Sequence, residues 1–132
     1  MEFKLPWLYC AGEDNISCNG QKINIDNGFY QNIMILGCAE WGNYLDKLTV
    51  YYEDGRSEEV SIRMTDCLYQ PLYGETIAWE GRAIEKINNQ AELWGRKVYI
   101  GAQRYQTTLQ GKIRCLQLPE VPSIHIFAIS LA

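Results

Sequence analysis

Residues 48–64, LTVYYEDGRSEEVSIRM, decide the fold class. Val60, Ile62 and Met64 alternate with Glu59, Ser61 and Arg63. Strict alternation sends successive side chains to opposite faces of a pleated strand, so residues 58–64 read as a strand buried on one side. Residues 48–53 read as its partner. Between the two lies Asp54-Gly55. A tight primed turn needs positive φ at both central positions, and Asp-Gly is a strong signal for it. The stretch therefore predicts an antiparallel hairpin closed by such a turn.

Working outward, the same kind of segment recurs. Residues 30–39 (YQNIMILGCA) form a largely apolar run. Further strands are predicted at 76–80, 97–102 and 112–118, with a short one at 20–24. Residues 123–132 (SIHIFAISLA) are apolar at most positions, as in a central strand covered on both sides. Residues 81–90 (GRAIEKINNQ) read as one or two helical turns. No repeat, low-complexity segment or linker interrupts the chain. Many short strands separated by Gly, Asn, Asp and Pro indicate a single all-β domain over residues 1–132, an antiparallel β-sandwich or barrel.

Composition narrows the function classes. The 132 residues carry a net charge of −4 and a pI near 5.0. No Lys/Arg cluster exceeds two neighbours, so the electrostatic footprint of a nucleic-acid binder is missing. No apolar run reaches the roughly 18 residues that span a bilayer. The start, MEFKLP, lacks the features of a signal peptide. The chain as given reads as cytoplasmic, with an exported parent protein as the alternative. Cys10, Cys18, Cys38, Cys67 and Cys115 are odd in number and match no zinc spacing. They read as free, mostly buried thiols, with a Cys10–Cys18 bridge as the alternative in an exported parent.

An enzyme needs a nucleophile, an acid/base pair or a metal. His125 is the sole histidine and lies within the final apolar strand, where a hydrogen-bonded packing role is usual. There is no GxSxG, P-loop or GxGxxG. Glu40, Asp46, Asp66, Glu75 and Glu80 fall at strand ends or in loops. A carboxylate pair can cleave a glycosidic bond at separations of roughly 5 Å or 6.5–9.5 Å, but the same residues serve equally as turn formers or oxygen ligands. No catalytic residue is assigned, and no cofactor is required.

The aromatics are the positive signal. Nine Tyr and four Trp is a heavy load. Trp41, Tyr69, Tyr73, Trp79 and Trp94 sit beside or near Gly or Pro. An aromatic face held out from a loop stacks on the CH-rich face of a sugar, while carboxylates, amides and Arg take the hydroxyls. The competing reading is packing at the sandwich ends. Trp41 reads as packed at a loop base, with Trp79 and Tyr73 exposed.

An ordered set of motifs runs through the chain: Gly20-Gln21-Lys22-Ile23, Gly28-Phe29-Tyr30, Leu36-Gly37-Cys38-Ala39, Trp41-Gly42, Val50-Tyr51-Tyr52-Glu53-Asp54-Gly55, Thr65-Asp66-Cys67 and YGETIAWEGRA at 73–83. Pro119 and Pro122 then lead into IHIFAISLA. Over residues 14–131 this set resembles a module found beside catalytic domains of bacterial glycoside hydrolases, including some acting on mannosides, fucosides and rhamnosides. The resemblance implies a galactose-binding-domain-like jelly roll with variable loops at one end. It also implies carbohydrate as ligand, a glycoside hydrolase domain as neighbour and a structural calcium as a candidate. Cys67 departs from the pattern, standing where the module has Trp.

Two functions stay open. In the first, the domain is a non-catalytic carbohydrate-binding module. Trp41, Tyr69, Tyr73 and Trp79 stack on the sugar, and Glu40, Asp66, Glu75 and Arg82 bind hydroxyls. In the second, it is a structural or protein-interaction domain whose aromatics fill the sandwich ends.

Overall fold

In the computed structural model the hairpin forms, but its turn differs. The structure describes residues 3–4, 15–87 and 90–132. Strands β5 (Tyr44–Tyr52) and β6 (Ser57–Met64) pair from Tyr44↔Met64 to Tyr51↔Ser57. Of the turn residues only Gly55 has positive φ, at 92°. Tyr52 N–H donates to Arg56 C=O at 2.9 Å, and Gly55 N–H to Tyr52 C=O at 3.1 Å. This is a three-residue loop ending in a left-handed glycine, not a primed two-residue turn. Asp54 explains the choice. Its Oδ1 accepts Arg56 N–H at 3.0 Å and its Oδ2 accepts Arg56 Nε–H at 2.7 Å. The side chain closes the turn while its own backbone stays in the ordinary region.

The remaining strands are β1 (Phe3–Lys4), β2 (Ile16–Ser17), β3 (Lys22–Phe29), β4 (Asn32–Ala39), β7 (Thr76–Ile87), β8 (Gln90–Gln106), β9 (Lys112–Gln117) and β10 (Ile124–Leu131). They build an all-β sandwich of two antiparallel sheets. One has the order β1-β10-β4-β8-β7, with β2 also paired to β10; the other runs β3-β9-β5-β6. The last strand is central as expected, lying between β4 on one side and β1 and β2 on the other.

The expected helical turns at 81–90 are not there. Residues 81–87 continue β7, with Ile84↔Leu93, Glu85↔Glu92 and Lys86↔Ala91 paired to β8; residues 88–89 lie outside the described set. Cross-strand pairing supplies these backbone groups with partners, and it overrides a weak local preference for helix. The hairpin is long as a result: β8 pairs with β4 only from Gln106 to Gly101, and beyond that point its strand partner is β7, with one further backbone bond from Tyr99 N–H to Cys67 C=O at 2.8 Å.

The core lies between the sheets. Ile33 and Ile35 of β4, Leu48 and Val50 of β5, Ile62 of β6, Ile113 and Leu116 of β9, and Ile124 and Ile126 of β10 are fully buried there. Each such aliphatic side chain stabilises the fold by about 1.5–3 kcal/mol. Two buried tyrosines have satisfied hydroxyls. Tyr52 donates to Glu58. Tyr105 donates to Gln103 Oε1 and receives Arg63 N–H at 3.2 Å, joining β8 to β6 across the interior. Cys18, Cys38, Cys67 and Cys115 are free thiols; Cys10, and with it the alternative bridge to Cys18, lies outside the described residues.

Candidate functional site

The outer face of the larger sheet carries a pocket of ≈ 970 Å³. Its floor follows from register. Leu36 pairs with Ala102 on that face. Two-residue periodicity then places Cys38, Ile100 and Val98 beside them. Trp79 pairs with Ile100 and so shares the face. All four line the pocket.

Two bulges refine the floor. The β7–β8 register shifts between Ile77 and Trp79, and the β10–β4 register between Ile126 and Ala128. The extra residues are Ala78 and Phe127. Each bulge re-aims its strand: the first sets Trp79 opposite Ile100, and the second turns Phe127 into the pocket wall. Trp79 lies in the strand expected at 76–80, and because that strand continues past Gly81 to Ile87 it is an interior strand residue rather than one at a strand end.

The rim comes from the turn after β4 and the segment after β6. Trp41 adopts φ 63°, the only positive value among the described non-glycine residues. It is 87% exposed, against the expectation that it packs at a loop base. The left-handed backbone explains the difference. The chain reverses at Trp41-Gly42, so the indole is thrown outward, and the reversal is held by Gly42 N–H donating to Asp66 Oδ2 at 2.9 Å. Trp79 is 46% exposed, as expected; Tyr73 is half-buried.

Asp66 is buried and organises the rim. Besides Gly42 it accepts Leu68 N–H on Oδ1 at 2.9 Å, and its own N–H donates to Asn43 Oδ1 at 2.8 Å. Glu75 does the same for residues 65–75. Its Oε1 accepts Thr65 Oγ1–H at 2.6 Å and Thr65 N–H at 3.2 Å, and its Oε2 accepts Tyr73 N–H at 2.9 Å. Gln103 Nε2 donates to Tyr73 C=O at 3.0 Å, tying this segment to the interior.

Of the residues singled out in the sequence, Trp41, Asp66, Trp79, Arg82 and Glu40 line the pocket together. Tyr69, Tyr73 and Glu75 do not line it. Tyr69 is exposed, with the Arg96 guanidinium 6.0 Å from its ring centre. Asp46 and Glu80 lie within β5 and β7 rather than at strand ends or in loops.

His125 has the hydrogen-bonded role expected of it. Its Nδ1 lies 2.8 Å from Asn15 Oδ1 and its Nε2 3.0 Å from Glu40 Oε1. As for calcium, no three His, Cys, Asp or Glu side chains among the described residues are placed so that they could hold a metal ion. Asp66 and Glu75 are engaged by backbone amides. Among the described residues, then, no cluster of acidic side chains supplies the carboxylate part of the many-oxygen cage that calcium takes.

A family model, the AziU2-like beta-sandwich domain, matches residues 1–132. The chain belongs to that family. No curated protein matches it.

In this AziU2-like sandwich, sequence reading passed over Phe127, Tyr99 and the Cys38–Cys67 pair, all on the pocket wall. Phe127 looks like one more residue of an apolar strand until the bulge is known. Cys67 did carry a signal, as the one position that departs from the resembling module's motif.

Proposed function

We propose that the domain is a non-catalytic module that binds a carbohydrate in the outer-face pocket. One observation carries the reading: two tryptophans, Trp41 and Trp79, are both exposed and both line a pocket that also holds Glu40, Asp66 and Arg82. Exposed indoles are costly to leave in water, and they are the surfaces on which sugar rings stack. The acidic and basic groups beside them match hydroxyls as donors and acceptors. The resemblance to modules of glycoside hydrolases supports the same ligand class. On this reading the sandwich is a variant of the galactose-binding-domain-like jelly roll, and a glycoside hydrolase domain is its partner. Affinity for one sugar is of order millimolar to micromolar, about −4 to −8 kcal/mol.

The test is a glycan array on the purified chain, followed by calorimetry on any hit. Binding to one sugar class that is lost in both Trp79→Ala and Trp41→Ala supports the proposal. A blank array from folded protein sinks it.

A second reading has its own support. Leu72, Ile77 and Tyr69 are also exposed, and β7 is the end strand of its sheet. Edge strands with apolar side chains accept partner chains. If the domain is an interaction module, Ile77→Lys abolishes capture of the partner while leaving any sugar binding intact.

A further inference from the structure

Cys38 and Cys67 meet at the pocket wall. Ala39 N–H donates to Thr65 C=O at 2.9 Å, and Cys67 N–H to Ala39 C=O at 2.7 Å. Ala39 and Asp66 form a parallel bridge. Residues flanking a bridged pair point away from the face that the pair occupies, so Cys38 and Cys67 project to the same side. There both side chains line the same pocket wall. Cys38 is 8% exposed, whereas Cys67 is more open.

We propose that Cys38 and Cys67 are a reactive dithiol, which closes to an intramolecular disulfide by exchange with a low-molecular-weight disulfide reaching the pocket. The two backbone hydrogen bonds that form the Ala39–Asp66 bridge already hold the two segments in register.

The roles of the sulfurs differ. Cys67 attacks first. It is the accessible one, and the neighbouring Cys38 thiol, as a hydrogen-bond donor, favours its thiolate and holds it below the usual thiol range. That same pairing, with burial, pushes Cys38 up. The Cys67 thiolate forms a bond to one sulfur of the small disulfide, and the other sulfur leaves as a thiolate. Cys38 then gives up its proton, and its sulfur attacks Cys67 and expels the second small thiolate. Both cysteines are oxidised, two electrons in all, and the small disulfide is reduced to two thiols. These carry away the two cysteine protons. An accessible sulfur beside a resolving cysteine is the arrangement that redox-responsive sites use. Cys18 makes the contrast: it is fully buried, and burial pushes it up to about 12.

The experiment treats the reduced full chain with glutathione disulfide under native conditions and reads intact mass and non-reducing peptide maps. The expected product has lost two free thiols, retains no glutathione and yields one cross-linked peptide pair containing Cys38 and Cys67. Cys38→Ser is expected to keep glutathione on Cys67. Cys67→Ser is expected to give neither product. A mixed disulfide that persists on Cys67 of the unmutated chain overturns the proposal. So does a cross-link through another cysteine, or an unreactive native protein. The unmutated chain alone decides, whether or not the variants fold.

Discussion

The indole of Trp79 lies over Gly81: a methyl carbon placed on the glycine would sit 2.6 Å from Cζ2 and 2.8 Å from Cη2 of the ring. The two residues are neighbours on one face of β7, and the missing side chain makes the bed for the ring. Gly81→Ala is therefore expected to lift Trp79 without touching any ligand directly. The change should appear as altered tryptophan fluorescence and near-ultraviolet dichroism. Sugar affinity should fall about tenfold, equivalent to about 1.4 kcal/mol. Unchanged spectra and affinity would mean that the bed does not set the ring.

Trp41 poses the opposite case, a large side chain held in a conformation it disfavours. A left-handed backbone costs a residue other than glycine or asparagine about 1–2 kcal/mol. The exposed ring recovers nothing by packing. Trp41→Asn is expected to raise the urea midpoint, by a stability gain of about 1 kcal/mol, with the m-value unchanged. It should weaken sugar binding at the same time. Strain retained at a binding residue has this signature. A variant that is less stable would show that the indole packs in solution.

Glu58 couples stability to acid. Burial works to raise its carboxyl, but hydrogen bonds from Thr108, Tyr52 and Leu109 outweigh it and hold the group below the ordinary carboxylate range. The folded carboxyl thus titrates below the unfolded one. Its contribution is present above the unfolded pKa, about 4.3, and is lost as pH falls through the folded value. Glu58→Gln is expected to cost about 1–3 kcal/mol at pH 7. It should also flatten the decline in urea midpoint below pH 5. An unaltered acid limb would show that other carboxylates govern it.

Much of the sandwich was legible because alternation is a local signal. Val60, Ile62 and Met64 announce their buried face without any knowledge of what covers it. The 81–90 segment was misread because its pairing partner lies in β8, and nothing in its own spacing points there. The site was legible in part for a similar reason. Trp41, Asp66, Trp79 and Arg82 stand beside turn residues or within a family-like motif. Phe127 joins them only because β10 bulges, and Cys38 meets Cys67 only because a parallel bridge forms across a chain reversal. Tyr73 and Glu75 have the right chemistry, but Glu75 is turned inward to hold the backbone of its own loop.

Tyr105 links that loop to the fold interior. Its hydroxyl joins Gln103, which holds Tyr73 C=O, to the Arg63 backbone on the opposite sheet. Tyr105→Phe leaves Gln103 Oε1 and the Arg63 N–H without this partner, and each lost buried bond costs about 1–3 kcal/mol. Burial pushes the phenols of both Tyr105 and Tyr52 up to about 12, above the unfolded value of about 10. Their contribution is complete below pH 10 and declines as pH rises from there through the folded value. The unmutated chain is therefore expected to lose stability between about pH 10 and 12. Tyr105→Phe should be less stable at pH 7, yet show a shallower alkaline decline, with Tyr52 supplying what remains. Urea midpoints measured from pH 7 to 11 check both limbs. Amide exchange at residues 65–75 should rise in the variant if the tyrosine also holds the rim in place, and an unchanged rate would confine its role to the interior.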